Sequence, residues 1–150
     1  VARRGDPYPA HVAATAAAVA KAAGLKDGQW LVCYQSRVGP LEWIGPSTEE
    51  ALKSAGRDGV SVVVVPIAFV SEHSETLVEL DIEYRHLAEQ AGIPSYVRVR
   101  TVSVLPTFID GLAGLVRKAL ASADKPVHGG MRRPCERGTG CCPCEMSAAA

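Results

Sequence analysis

The stretch SVVVVPIAFVSEHSETLVELDIEY, residues 61–84, decides how this chain reads. Its first half is a short run of β-branched and apolar residues, the pattern of a buried strand. Its second half reads as a helix capped by Ser71. Leu77, Leu80, Tyr84 and Leu87 give that helix a core face, and it runs to about Ala91, before Gly92 and Pro94. A buried strand leading into a helix is half of a strand–helix–strand unit, which implies a parallel sheet.

The rest of the chain repeats that alternation. A first helix opens with Asp6 as cap and Pro7 at its first position, runs through an alanine-rich body and stops at Gly24. Residues 30–36, WLVCYQS, read as a strand. Ser47 or Thr48 caps a helix through about Ser54, with Glu49 and Glu50 in the first turn, where the helix dipole favours them. Strands follow at 60–66 and 95–102, and Pro106 starts a last helix reaching about Ala121. The order α-β-α-β-α-β-α, with continuous apolar strands, argues an α/β fold whose parallel sheet is flanked by helices on both faces. Residues 1–122 form one domain on this reading, and 123–150 a Cys-rich tail. A helix ahead of the first strand, and an opening without methionine, lead to the expectation that the chain is a fragment whose earlier strands lie upstream.

Composition narrows the function. Lys plus Arg equals Asp plus Glu at 16 each, so net charge is zero, and bulk attraction to nucleic acid is not expected. The longest apolar run, Val60–Val70, contains a serine and a proline and is far shorter than the roughly 20 residues of a membrane span. VARRGDPYP holds no apolar segment of signal-peptide type. Four of the five cysteines, Cys135, Cys141, Cys142 and Cys144, fall within residues 135–144. Such crowding is unlike a disulfide-stapled secreted fold and suits a metal or iron–sulfur site in a reducing compartment. Cys33, in an apolar run, reads as a small core hydrophobe.

In open parallel sheets, ligands bind beyond the carboxyl ends of the strands. Two segments are expected at that rim: Tyr34–Gln35–Ser36 with the loop to Trp43, and Phe69–Glu75. Glu75, Glu79 and Glu83, spaced i, i+4, i+8, form one stripe on a helix, and Glu72 joins it a turn earlier. His73 lies in the first turn. Like charges at this spacing repel, and burial would add a desolvation cost. A divalent cation offsets both, and carboxylates with histidine suit a hard or borderline ion. The competing reading is an ordinary solvated helix face.

Three blocks carry a resemblance: GDPYP at 5–9, YQSRVGPLEWIGPSTEE at 34–50 and VVVVPIAFVSEHSETLVELDIEY at 62–84. In order and spacing, residues 3–121 resemble the C-terminal half of ferrochelatases, the [2Fe–2S]-type bacterial form included. The resemblance implies a three-layer Rossmann-like domain, one of two similar halves that enclose a porphyrin. It implies insertion of Fe²⁺, as substrate, into protoporphyrin IX to give protohaem, a lyase reaction that releases two protons. Glu75 then matches the active-site acid and His73 its histidine. Glu79 and Glu83, with Glu72 ahead of them, match a metal or proton path on a helix that often widens into a π-helix. Ser36 and Trp43 match the loop lining the porphyrin pocket; Trp43 reads equally as a core aromatic.

The tail CERGTGCCPCE resembles the family's cluster-binding end. Cys135, Cys142 and Cys144, with Cys141 as substitute, would be ligands of a [2Fe–2S] cluster; zinc or an exposed redox-sensitive tail are the alternatives. Implied partners are porphyrin, ferrous iron and the missing N-terminal half, with peripheral membrane contact and a homodimer as further expectations and the cytoplasm as location. Two departures stand out. The family's upstream histidine segment would precede Val1, so this chain alone is expected to be nearly inactive. Thr101–Leu105 replaces the family's Asn-containing segment. Rival readings are a chelatase acting on coproporphyrin or with cobalt, and a non-catalytic metal- or tetrapyrrole-binding module.

Overall fold

The computed structural model of the chain describes residues 8–35 and 44–121. The described residues fall into two units, 8–23 with 104–121, and 24–35 with 44–103.

The first unit contributes α1 (Tyr8–Ala22). Its alanines carry the helix, and Gly24, at φ 71°, takes the left-handed conformation that ends it. The last described helix, Pro106–Ala121, belongs to the same unit and begins on the proline expected at its first position.

The second unit is a mixed α/β body. It opens with an extended segment that ends in a single parallel bridge, Tyr34 to Ser47. Among the described residues 30–35 the expected strand shows as that bridge: the Tyr34 N–H donates to the Pro46 carbonyl (2.9 Å) and its carbonyl accepts from Thr48 N–H (3.0 Å). Helix α2 (Thr48–Arg57) follows behind a capping box. The Ser47 hydroxyl accepts from Glu50 N–H (3.2 Å), and the Glu50 carboxylate accepts from Ser47 N–H (2.9 Å).

Strand β1 (Val62–Val64) leads through residues 65–74 into a π-helix (Glu75–Glu83), which passes directly into α3 (Tyr84–Gln90). Strand β2 (Tyr96–Arg98) lies parallel to β1, with Val62 opposite Tyr96 and Val64 opposite Arg98. The last helix among the described residues is α4 (Pro106–Ala121). The sheet is parallel and flanked by helices, as the alternation implies.

The core lies on one face of this sheet. Leu52 of α2, Ala88 of α3, Ile93 and Tyr96 are buried together, with Val62, Val64, Tyr84 and Leu87 packed around them. Val63 and Val97, on alternate positions, point away from that face and are exposed. Helix α2 reaches the end of α3 at Gly56. A Cβ built there would lie 2.8 Å from the Ala91 Cβ and closer still to the Ala91 carbonyl oxygen. Gly56→Ala should therefore destabilise the protein by about 2 kcal/mol, although alanine is the better helix former by about 1 kcal/mol. Urea unfolding checks this; an unchanged or raised midpoint would mean the two helices do not approach as described.

Candidate functional site

The segment after β1 is shaped by short-range bonds. His73 N–H donates to Thr76 Oγ1 (3.0 Å), and that hydroxyl lies 3.0 Å from the His73 carbonyl. Glu75 N–H donates to His73 Nδ1 (3.2 Å). The imidazole thus caps the first turn, its Nδ1 serving as the acceptor. Phe69 meets that ring edge-on at 4.4 Å between centroids. The sequence suggests Ser71 as the cap. The structure instead starts the helical run at Ser74, because His73 and Thr76 close the turn two residues later.

From there the backbone bonds in the i→i+5 pattern; Tyr84 N–H reaches the Glu79 carbonyl. Each turn holds more residues than in an α-helix, so positions four apart still share a side. Thr76 and Leu80 are buried on the core side. Glu75 and Glu79 stand beside them, half-buried, while Glu83 is exposed. Glu75, Glu79 and Glu83 lie on a π-helix, the widening that the resemblance implies, and Glu72 lies ahead of it.

Gln35 binds the two half-buried acids. Its side-chain amide donates to the Glu75 carbonyl (2.8 Å) and to Glu79 Oε2 (2.9 Å). The sequence places Gln35 at the rim without assigning it a task. Below Glu79, burial and then the negative charge of Glu79, Glu49 and Glu83 push the Tyr84 phenol up to about 12, so it stays protonated.

Glu72 lies elsewhere than the spacing suggests. It precedes the helical run, and its carboxylate accepts from Arg98 Nη1 at 2.7 and 2.9 Å and from Thr101 N–H at 3.0 Å. The same guanidinium donates to Asp81, from Nε to Oδ1 at 2.8 Å and from Nη2 to Oδ2. Hydrogen bonds from the Thr76 hydroxyl, Arg98 and Thr101 hold the Glu72 carboxyl down, at about 2. Arg98 likewise holds Asp81 below its ordinary range. Glu72 is thus an ionised anchor between β2 and the start of the π-helix. Ser103, at φ 42°, completes the join by donating its N–H to the Val70 carbonyl (2.7 Å).

Ser36 and Trp43, and Cys135, Cys141, Cys142 and Cys144, lie outside the described residues. Among the described residues, no three His, Cys, Asp or Glu side chains converge on one point that could hold a metal ion. The acids form a line along the helix, not a cage. Among the described residues, no helix is long and apolar enough to cross a membrane.

Comparison with known proteins identifies the family. The ferrochelatase family model matches residues 1–120. A ferrochelatase of Caulobacter vibrioides is 51% identical over 147 residues, 97% of this chain and 42% of that relative. One from Phenylobacterium zucineum is 46% identical over 138 residues, 92% of the chain and 40% of the relative. A third, from Synechococcus sp. (strain RCC307), is 50% identical over 121 residues, 80% of the chain and 31% of the relative. The chain thus spans about two fifths or less of the length of these curated relatives. With the match covering the bridge at Tyr34, both strands and the whole π-helix, the chain belongs to the ferrochelatase family.

Proposed function

We propose that the chain is the part of a ferrochelatase that presents acids to a porphyrin and its incoming metal, with protohaem as product. The observation that carries this is the pair Glu75 and Glu79, side by side on a π-helix beyond β1 and tied to Gln35. In the reaction, Fe²⁺ replaces two pyrrole N–H protons, which must leave as the metal enters. Glu75, at the first turn of the π-helix, is the acid of the stripe nearest the strand end. His73 holds the turn that carries it, its Nδ1 accepting from the Glu75 N–H. Glu79 and then Glu83 form the route by which a hydrated cation or a released proton passes along the helix. Glu72 serves this route as a fixed charge bound to Arg98, not as a carrier.

The porphyrin pocket would be completed by Ser36 and Trp43 and by a preceding half of the length the relatives have. The alignment with the Caulobacter protein covers 97% of the chain and so extends into the Cys-rich segment. Cys135, Cys142 and Cys144, with Cys141 in reserve, are read as thiolate ligands of a [2Fe–2S] cluster on the crowding of four cysteines within residues 135–144. Cytoplasmic location, peripheral membrane contact and a homodimer belong to the same proposal.

The test is anaerobic metallation. The full-length polypeptide, given Fe²⁺ and protoporphyrin IX, should quench porphyrin fluorescence and raise haem absorption, and residues 1–150 alone should be nearly inactive. Metallation of coproporphyrin only would move the substrate; insertion into neither would overturn the proposal. A cluster would show as visible absorption of the anaerobically purified protein.

A further inference from the structure

We propose that Gln35 is the positioning residue of the metal route: by holding the Glu75 backbone and the Glu79 carboxylate at once, it fixes how the two acids stand to each other. The inference rests on the chelatase reading above.

A primary amide has two N–H donors on one nitrogen. Gln35 Nε2 spends both, on the Glu75 carbonyl at 2.8 Å and on Glu79 Oε2 at 2.9 Å. Both partners are acceptors, so the amide has one workable orientation: reversed, its oxygen would face two oxygens. Gln35 itself is held. It follows Tyr34, whose N–H and carbonyl are bonded to Pro46 and Thr48. The anchor for the π-helix is therefore a rigid segment some forty residues earlier in the chain.

The consequence is mechanical. Glu79 lies four residues beyond Glu75 on the π-helix, and the bond from Gln35 to its Oε2 favours the rotamer in which its carboxylate stands. Gln35 touches neither porphyrin nor metal on this reading; it sets the acid that does.

Three variants test it in the full-length polypeptide. Gln35→Met keeps the length and removes both donors. The Michaelis constant for Fe²⁺ should rise about tenfold, the cost of a hydrogen bond to a charged group, while that for porphyrin stays within about twofold. Gln35→Asn, too short to reach both partners, should fail to rescue. Gln35→Glu sets a second carboxylate against Glu79. The Fe²⁺ constant should rise at least as much as in Gln35→Met, about tenfold or more, while the porphyrin constant again stays within about twofold, a split between the two constants that a packing role would not produce.

Co²⁺ binding, read by calorimetry, separates this inference from the chelatase reading. Binding that weakens in Gln35→Met in a protein that inserts no metal keeps the Gln35 role and removes the chelatase. Normal insertion in wild type, with Fe²⁺ and Co²⁺ constants unchanged in Gln35→Met, overturns the Gln35 role alone. A rise confined to the porphyrin constant would also overturn it, making Gln35 a porphyrin contact.

Discussion

Glu75→Gln in the full-length polypeptide should lower the turnover number for metal insertion by about 10² to 10³-fold, while porphyrin affinity stays within about threefold. The size follows from the role. A positioned base contributes typically 10²–10⁴-fold to a proton-transfer step, and here two protons must leave the macrocycle for each metal that enters. Glutamine has nearly the same shape, and the Glu75 backbone keeps both its bonds, the N–H to His73 Nδ1 and the carbonyl to Gln35. Loss of activity would thus report the carboxylate and not a collapsed turn. Stopped-flow porphyrin fluorescence separates binding from insertion. Glu79→Gln should act differently, raising the metal constant with a smaller fall in turnover, because Glu79 stands further along the helix. Glu83, which is exposed, should matter least. Near-normal turnover in Glu75→Gln would sink the assignment of the base.

How much of this could be read from the residues depends on the range of the interactions. Capping at Ser47 is local, and its partner Glu50 is three residues away, so the start of α2 is legible. The acidic stripe is also legible, because i, i+4 spacing keeps one side in an α-helix and in a π-helix alike. For the same reason the spacing cannot tell the two apart; the widening shows only in which carbonyl each N–H finds. The i, i+3 step to Glu75 puts Glu72 on the stripe by spacing. The actual start of the helical run is set by the His73–Thr76 turn, which leaves Glu72 outside it. Arg98 is itself a signal, because an arginine inside a strand needs an acid. Which acids it meets is not legible in the sequence, since Glu72 and Asp81 are 26 and 17 residues away and meet it only through the fold. Gln35 is the same case at a range of 44 residues from Glu79.

Arg98→Met should destabilise the protein by about 3 kcal/mol near pH 7, the lower end for breaking a buried ion pair from one side. The Arg98 side chain is 6% exposed and bonds two carboxylates that keep 29% exposure each, so water softens part of the loss. Lysine should not rescue it, because one ammonium cannot span the two carboxylates as the guanidinium fork does. The pH dependence identifies the mechanism. In the folded protein the Glu72 carboxyl is held at about 2, below its ordinary 4.5, by Thr76, Arg98 and Thr101. A depressed carboxyl contributes stability that is complete above its unfolded value and is lost as pH falls toward the folded one. Wild type should therefore weaken between about pH 4.5 and pH 2. Without the guanidinium, Glu72 and the neighbouring Asp81 move back toward ordinary values, and less stability remains to lose in that window. Urea unfolding at pH 7, 4 and 2.5 should show the gap between wild type and Arg98→Met narrowing as pH falls. A gap that stays constant down to pH 2.5 would mean that Arg98 contributes through packing of its chain and not through the two acids. In that case the join between β2 and the π-helix would rest on the Ser103–Val70 and Thr101 backbone bonds, and the first turn bearing Glu75 should remain ordered in the variant.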